Sequence, residues 1–176
     1  MQSQSPNIKT AVIRVVLILI LLADMIFIFY NSAQNAIESS STSQSVTEQM
    51  APIVVPDYEK LDEEKKKEAV LSLDVIVREA AHLLQFVPLG FACYLLLQTF
   101  KLPKRIAYLS YAIPPSFGLL YALSDEIHQI FSPGRFFDVF DLFMDMMGVL
   151  IGMLGAILLM LIIKKLRCSK NKTITE

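Results

Sequence analysis

Residues 11–30 read AVIRVVLILILLADMIFIFY, a run whose only charged side chains are those of Arg14 and Asp24. About 20 residues of α-helix, at 1.5 Å per residue, cross the roughly 30 Å hydrocarbon core of a bilayer. The run therefore predicts a first transmembrane helix. The alternative is a cleaved signal peptide with Lys9 in its basic region, but Asp24 interrupts the run, which also exceeds the usual length of about 7–15 residues. We expect the helix to be retained.

Three more apolar blocks of similar length follow, at about residues 80–100, 106–123 and 139–163. The blocks are continuous, whereas strands of membrane barrels alternate apolar and polar residues. The chain is 54% hydrophobic and 19% charged, against about 45–50% and 25% in soluble domains. The sequence thus predicts an all-α polytopic membrane protein, a bundle of four transmembrane helices in a single domain over residues 1–176. A net charge of −1 offers no electrostatic basis for binding nucleic acid.

The distribution of basic residues predicts the orientation of this bundle, because loops rich in lysine and arginine stay in the cytoplasm. Ten of the 16 basic residues lie in three segments that hold hardly any acids, before helix one, between helices two and three, and after helix four: Lys9, Arg14, Lys101, Lys104, Arg105, Lys164, Lys165, Arg167, Lys170 and Lys172. Nearly all the acids lie in the segment 31–79 and in the loop near 124–138. Both termini, including the tail 164–176, are therefore predicted to be cytoplasmic, and segment 31–79 to be extracytoplasmic.

The outer segment between helices one and two has two parts. Residues 31–56 are rich in Ser, Thr, Gln and Asn and end in two prolines, which predicts an irregular, hydrated stretch. Residues 57–72 read DYEKLDEEKKKEAVLS and predict a helix capped by Asp57. This helix is interpreted either as a surface-lying or partner-binding element or as a solvated helix leading into helix two. The second interpretation is better supported because the apolar face is thin.

Ionisable side chains accumulate at the outer ends of helices two, three and four, where an unpaired charge near hydrocarbon costs several kcal/mol. Three pairs are spaced four residues apart, which places each pair on one helix face. A Ser-Pro-Gly turn at 132–134 adds one more cation where the chain re-enters the membrane. The sequence therefore predicts one polar site, built from Arg78, His82, Asp125, Glu126, Gln129, Arg135, Asp141 and Asp145.

The chemistry of these residues favours a site for a polar or phosphorylated headgroup. Arginine presents a fork of donors to an anion, so Arg78 and Arg135, with Gln129, are candidate binding residues. Imidazole and carboxyl groups transfer protons. The candidate catalytic residues are His82, Asp125, Glu126, Asp141 and Asp145.

Two other interpretations of the same residues remain open. They could form a buried salt-bridge network that holds the helices in register. They could also bind a metal ion through His82, Asp125, Glu126 and His128, but the spacing matches no HExxH-type signature. The sequence therefore predicts neither a metal nor any other cofactor.

A stripe of small residues, Gly148, Gly152 and Gly155, continues inward from Asp141 and Asp145 along helix four. Such a stripe lets another helix approach closely. It motivates a second hypothesis, in which the protein is a non-catalytic membrane module that packs against a partner and its charged cluster is structural.

The polar motifs resemble those of the VanZ-like family of small bacterial membrane proteins. The family pattern R-K-x-A-H-x-x-E-Y-x-x-L-G stands here as Arg78-Glu79-Ala80-Ala81-His82, Gln85-Phe86 and Leu89-Gly90. The pattern S-D-E-x-x-Q-x-F-x-P-G-R stands as Ser124-Asp125-Glu126, Gln129, Phe131 and Pro133-Gly134-Arg135, and an acidic pair before glycine stands as Asp141, Asp145 and Gly148. Residues 26–48 also resemble the family's serine-rich segment after helix one.

The resemblance implies a protein of the bacterial cytoplasmic membrane. Founding members are associated with lowered susceptibility to lipoglycopeptide antibiotics such as teicoplanin, which act on cell-wall precursors outside the membrane. It thus implies action on a membrane lipid or lipid-linked cell-wall precursor. Three positions depart from the pattern: Glu79 replaces lysine, Gln85 replaces glutamate, and Phe86 replaces tyrosine. The glutamine retains hydrogen-bonding capacity and loses the charge that would partner Arg78 or His82.

Overall fold

The structure, a computed structural model, describes residues 7–100 and 102–175. Lys101, one of the residues used to predict orientation, lies outside these ranges. All regular structure in the described residues is helical. It consists of α1 (Ile8–Ser32), α2 (Ala36–Val54), α3 (Glu63–Gln98), α4 (Leu109–Gln129) and α5 (Val139–Thr175), with 3₁₀ turns at Tyr58–Lys60 and Lys104–Ile106.

Helices α1, α3, α4 and α5 are long and apolar enough to cross a membrane, which confirms the prediction of an all-α protein with four such helices. The helices are longer than predicted. In particular, α4 continues past residue 123 to Gln129, because the polar motif that follows the apolar block keeps its helical spacing. The acidic motif is therefore part of a helix and not of a loop.

The expectation of an irregular stretch over residues 31–56 is wrong, because α2 occupies most of it. Asn35 and Glu38 form a capping box, in which each side chain accepts a hydrogen bond from the other residue's backbone N–H. Thr47 and Ala51 are buried, and the Thr47 hydroxyl donates to Asp74 of α3 at 3.3 Å. Capping and packing on α3 thus outweigh the low helix propensity of the serines and threonines.

The predicted helix over residues 57–72 begins later than expected. Asp57 has a φ of +55° and precedes the first 3₁₀ turn, so it does not cap the helix. The cap is Asp62, whose carboxylate accepts from the Lys65 backbone N–H at 2.9 Å. From there α3 runs without interruption into the second spanning helix, as the interpretation of a helix leading into helix two predicts.

Helices α3 and α5 are in close backbone contact through glycines. A Cβ on Gly148 would overlap the carbonyl of Leu83, and one on Gly152 would overlap the carbonyl of Val87. From the first contact to the second, the residue number increases by four on α5 and by four on α3, so the two helices run in the same direction. The predicted close approach along this stripe is confirmed at these two positions, and the neighbouring helix is α3 of the same chain.

The core of the bundle is formed by all four spanning helices, which contribute Ile28, Phe86, Leu89, Ala122 and Val149. At one end of the bundle, the Arg14 guanidinium donates to the hydroxyl and the carbonyl of Thr99 at 2.9 and 2.7 Å. The start of α1 and the ends of α3 and α5 therefore lie at this end. The candidate polar residues lie at the opposite end. That the latter end is extracytoplasmic stays a prediction.

Candidate functional site

The site is centred on His82, which is buried between two aspartates of α5. Its Nδ1 lies 3.3 Å from Asp145 Oδ1, and its Nε2 lies 3.6 Å from Asp141 Oδ2. The four-residue spacing of the two aspartates brings both to the face of α5 that meets α3. Helix α3 thus contributes the imidazole, and α5 contributes the two carboxyl groups on either side of it.

A second group of polar contacts links α1, α4 and the loop that follows α4. The Ser32 hydroxyl and the Gln129 amide both donate to Asp125 Oδ2, at 2.7 and 3.0 Å. Gln129 in turn accepts from the Arg135 guanidinium at 2.6 Å. Asp125 and Gln129 are both buried, so this chain of hydrogen bonds determines where Arg135 lies.

The loop that carries Arg135 is a turn at Gly134, whose φ is +77°, as the Ser-Pro-Gly signal predicts. Its position is set by two contacts, one with the end of α1 and one with the start of α2. The backbone N–H of Ala36 donates to the carbonyl of Pro133 at 3.1 Å, and the Ser132 hydroxyl donates to the carbonyl of Ser32 at 3.0 Å.

Glu126 is fully buried beside His82. Its Oε2 accepts from the backbone N–H of Asp138 at 2.8 Å, while Oε1 is buried without a hydrogen-bond partner. Asp145 is equally buried, and its Oδ2 also has no partner among the described residues. His82, Glu126 and Asp145 each offer one ligand atom within 4.8 Å of the others.

The two arginines are not paired with these acids. No ion pair within 4.0 Å joins Arg78 or Arg135 to a carboxylate in the part of the chain that the structure describes. Arg135 donates to Gln129 and, at 3.4 Å, to Ser39. Burial lowers the pKa of Arg135, and the positive charge of Arg78 nearby lowers it further. Two guanidinium groups of the same charge therefore lie near each other. A salt-bridge network that holds the helices in register does not explain this arrangement.

Two cavities meet at these arginines, and both are lined by Arg78 and Arg135. The larger, of about 530 Å³, lies between α1, α2 and α3. Its walls combine the apolar side chains of Phe27, Val46, Met50, Val77 and Leu84 with the polar groups of His82 and Gln85. The smaller, of about 250 Å³, is lined by Gln129, Asp138 and Asp141.

The structure brings all eight predicted site residues to one end of the bundle, though in two layers, with the imidazole and acids inside and the arginines towards the cavities. Ser32, Ser39, Ser132 and Asp138 also make site contacts, and sequence reasoning did not single them out. For Ser32 and Ser39, the serine-rich segment after helix one was the sequence feature that could have indicated a role in the site. His128, considered as a metal ligand, instead stacks on Phe29 with ring centroids 4.4 Å apart.

A bundle of four membrane-spanning helices, with a buried imidazole–carboxyl cluster and two arginines at one end, defines a small polytopic membrane protein with a polar site inside the bundle. The family model described as VanZ/LLP1 matches residues 15–162, a range that contains the whole site. The chain therefore belongs to the VanZ/LLP1 family, as its motifs indicate. No curated protein and no solved structure matches the chain.

Proposed function

We propose that this protein binds the phosphate-bearing headgroup of a lipid or lipid-linked cell-envelope precursor at the outer face of the bacterial cytoplasmic membrane. The observation that carries the proposal is that Arg78 and Arg135 line the same two cavities and that neither has a carboxylate partner among the described residues. Arg78 is exposed and Arg135 is half-buried, so both guanidinium groups are accessible to a ligand. An anion held between them offsets the repulsion between the two positive charges.

The cavity suits an amphiphile with an anionic head. Arginine recognises phosphate oxygens through paired N–H donors, which are stronger when the acceptor is charged. Most of the exposed surface of the larger cavity is apolar, although polar side chains of α1 and α2 also line it, and this apolar surface suits an acyl or prenyl chain. This combination favours a lipid-linked phosphate over a free ion.

The inner layer of the site supplies groups for proton transfer. Glu126 Oε1 has no hydrogen-bond partner, so this carboxyl is a better candidate base than Asp125, whose Oδ2 already accepts two hydrogen bonds. His82 adjoins the larger cavity and connects it to Asp141 and Asp145. The same arrangement serves a binding protein or an enzyme, and the family resemblance extends the proposal to lowered glycopeptide susceptibility.

The non-catalytic packing module is the second candidate. Its glycine argument is weakened because Gly148 and Gly152 contact α3 of the same chain, which leaves the exposed Gly155 for an outside partner. The charged surface of α3 near residues 63–72 remains available to that hypothesis.

Binding of a phosphate amphiphile tests the proposal directly. We would titrate the full chain, purified in neutral detergent, with dodecyl phosphate and with dodecyl glucoside, which has the same alkyl chain and no phosphate, and follow binding by native mass spectrometry. We expect dodecyl phosphate to bind the unaltered protein more tightly. Arg135→Gln and Arg78→Gln should each weaken its binding about 10–100-fold, since a hydrogen bond to a charged group contributes about 1.5–3 kcal/mol.

The matched control is Arg105→Gln, which removes an exposed cation at the opposite end of the bundle and should leave binding unchanged. Arg135→Lys should give an intermediate affinity because it keeps the charge and loses the fork. Equal affinity for the two amphiphiles, or equal losses in Arg105→Gln and Arg135→Gln, would contradict the proposal.

A further inference from the structure

We propose that His82, Glu126 and Asp145 form a divalent metal site in the inner layer of the bundle. The three residues come from α3, α4 and α5, and all three are buried. Their potential ligand atoms lie within 4.8 Å of one another. The inference goes beyond the proposed function, because an ion can bind here whatever molecule occupies the cavities.

The separation between His82 and Asp145 is long for a hydrogen bond and is also compatible with two ligands of one ion. Nδ1 and Oδ1 are 3.3 Å apart, whereas a charge-assisted N–H···O bond is about 2.7–2.9 Å long. Metal–ligand bonds of about 2.0–2.1 Å in a tetrahedral site put adjacent ligand atoms about 3.3 Å apart. His82 Nδ1 and Asp145 Oδ1 are therefore already separated by the distance expected for two neighbouring ligands of a tetrahedral ion.

Two buried oxygens provide an observation independent of the clustering of acids. Within residues 7–100 and 102–175, Glu126 Oε1 and Asp145 Oδ2 have no hydrogen-bond partner, and both residues are fully buried. Buried carboxylate oxygens without partners are costly. Glu126 Oε2 already accepts from the Asp138 N–H, so Glu126 has Oε1 left for a cation. Asp145 offers Oδ1, which lies beside His82 Nδ1, and also Oδ2.

Asp141 lies on the other side of the imidazole, with its Oδ2 3.6 Å from His82 Nε2. This separation is longer than a hydrogen bond, but when Nδ1 binds the ion the proton is on Nε2, and Asp141 is the carboxylate next to it. A carboxylate that orients a ligating histidine through its other nitrogen is a recurrent feature of metal sites. We therefore assign Asp141 as a positioning residue.

The charge balance of the inner layer also favours a cation. Four carboxyl groups are buried here, those of Asp125, Glu126, Asp141 and Asp145. The nearby basic groups are His82, the partly buried Arg135 and the exposed Arg78. A divalent ion supplies two positive charges, and one imidazole with two carboxylates suits Zn²⁺ or Mn²⁺. With an ion bound, His82, Glu126 and Asp145 act as ligands in place of proton-transfer groups.

Metal analysis of the full chain in detergent tests the site. After treatment with EDTA and equilibrium dialysis against Zn²⁺ or Mn²⁺, we expect the unaltered protein to retain about one equivalent of ion. His82→Ala, Glu126→Gln and Asp145→Asn should each reduce occupancy at least tenfold at the same free concentration. Asp141→Asn should weaken affinity about 10–100-fold, as substitutions of orienting carboxylates do.

Asp24→Asn is the matched control, because Asp24 also has a buried oxygen without a partner but lies outside the cluster. It should keep the ion. Co²⁺ gives a second readout, since a tetrahedral site produces strong visible absorption that His82→Ala should abolish.

If a substituted protein does not fold, the unaltered chain still tests the proposal. A bound ion stabilises the folded state, so Zn²⁺ or Mn²⁺ should raise its unfolding temperature and EDTA should reverse the rise. Occupancy below 0.1 equivalent without such a rise would overturn the metal site, and so would equal occupancy in Glu126→Gln, Asp145→Asn and the unaltered chain. Loss of dodecyl phosphate binding with the ion retained would overturn only the proposed headgroup function.

Discussion

The Ser32 hydroxyl donates a 2.7 Å hydrogen bond to Asp125 Oδ2, and both groups are buried. The bond joins the last residue of α1 to α4. Asp125 also accepts a hydrogen bond from the Gln129 amide, and Gln129 in turn accepts one from the Arg135 guanidinium. The end of the first helix therefore helps to determine where a candidate anion-binding arginine lies.

Replacing Ser32 with alanine should lower the free energy of unfolding by about 1–3 kcal/mol, because it leaves a buried carboxylate short of a donor. Denaturant unfolding in detergent micelles, followed by circular dichroism, measures the change. The control is Ser41→Ala, which removes an exposed hydroxyl that bonds only to its own helix. A similar loss in both variants would count against a special role for the Ser32 bond.

Alanine at Gly148 or Gly152 should destabilise the bundle by at least about 1–3 kcal/mol, the usual cost of overpacking. Each new Cβ would meet the backbone of α3, which yields less readily than a side chain. Gly155→Ala is the control, because its Cβ would lie 3.7 Å from the Phe91 ring in ordinary contact. Thermal unfolding of the three variants in one detergent compares them, and an order with Gly155→Ala as the least stable would refute the explanation.

The predicted orientation can be checked with the native cysteines. Cys168 is exposed near the end of α5, and Cys93 is buried in α3. In intact cells, a membrane-impermeant maleimide should leave Cys168 unlabelled, because that end of the bundle is predicted to be cytoplasmic, and permeabilisation should expose it. A cysteine introduced at the exposed Ser41 should label without permeabilisation. Labelling of Cys168 in intact cells would reverse the topology.

The proposed role in the cell envelope predicts a common phenotype for different parts of the site. If expression of the protein lowers teicoplanin susceptibility, His82→Ala, Glu126→Gln and Arg135→Gln should each abolish the effect at equal protein levels. Arg105→Gln should retain it. The measurement is the inhibitory concentration in a host that lacks other resistance determinants. If all three site variants still gave full protection, the site would not be required for this function.

The local parts of the site could be predicted from sequence, because helical spacing determines which residues share a face. Asp125 and Gln129 are hydrogen-bonded as their spacing predicts, and Asp141 and Asp145 both contact His82. The partners of the arginines could not be predicted, because a pairing between different helices depends on their rotation and depth in the bundle.

The outer segment shows a second reason why sequence alone does not predict the whole fold. The capping-box pair Asn35 and Glu38 was present in the sequence, but the low helix propensity of the residues that follow pointed to an irregular stretch. Helix α2 forms because Thr47 and Ala51 are buried against α3, a stabilisation that a local pattern does not contain.

The sequence by itself determined the four spanning helices and the family, since apolar run length and short motifs are properties of contiguous residues. Only the tertiary structure decided that His82 lies between two aspartates. It also decided that, in the part of the chain that the structure describes, Glu126 and Asp145 keep unpartnered oxygens and the two site arginines have no carboxylate partner. These relations join residues far apart in the chain. They depend on the close contact of α3 with α5, which the glycines permit and the packing of the whole bundle positions.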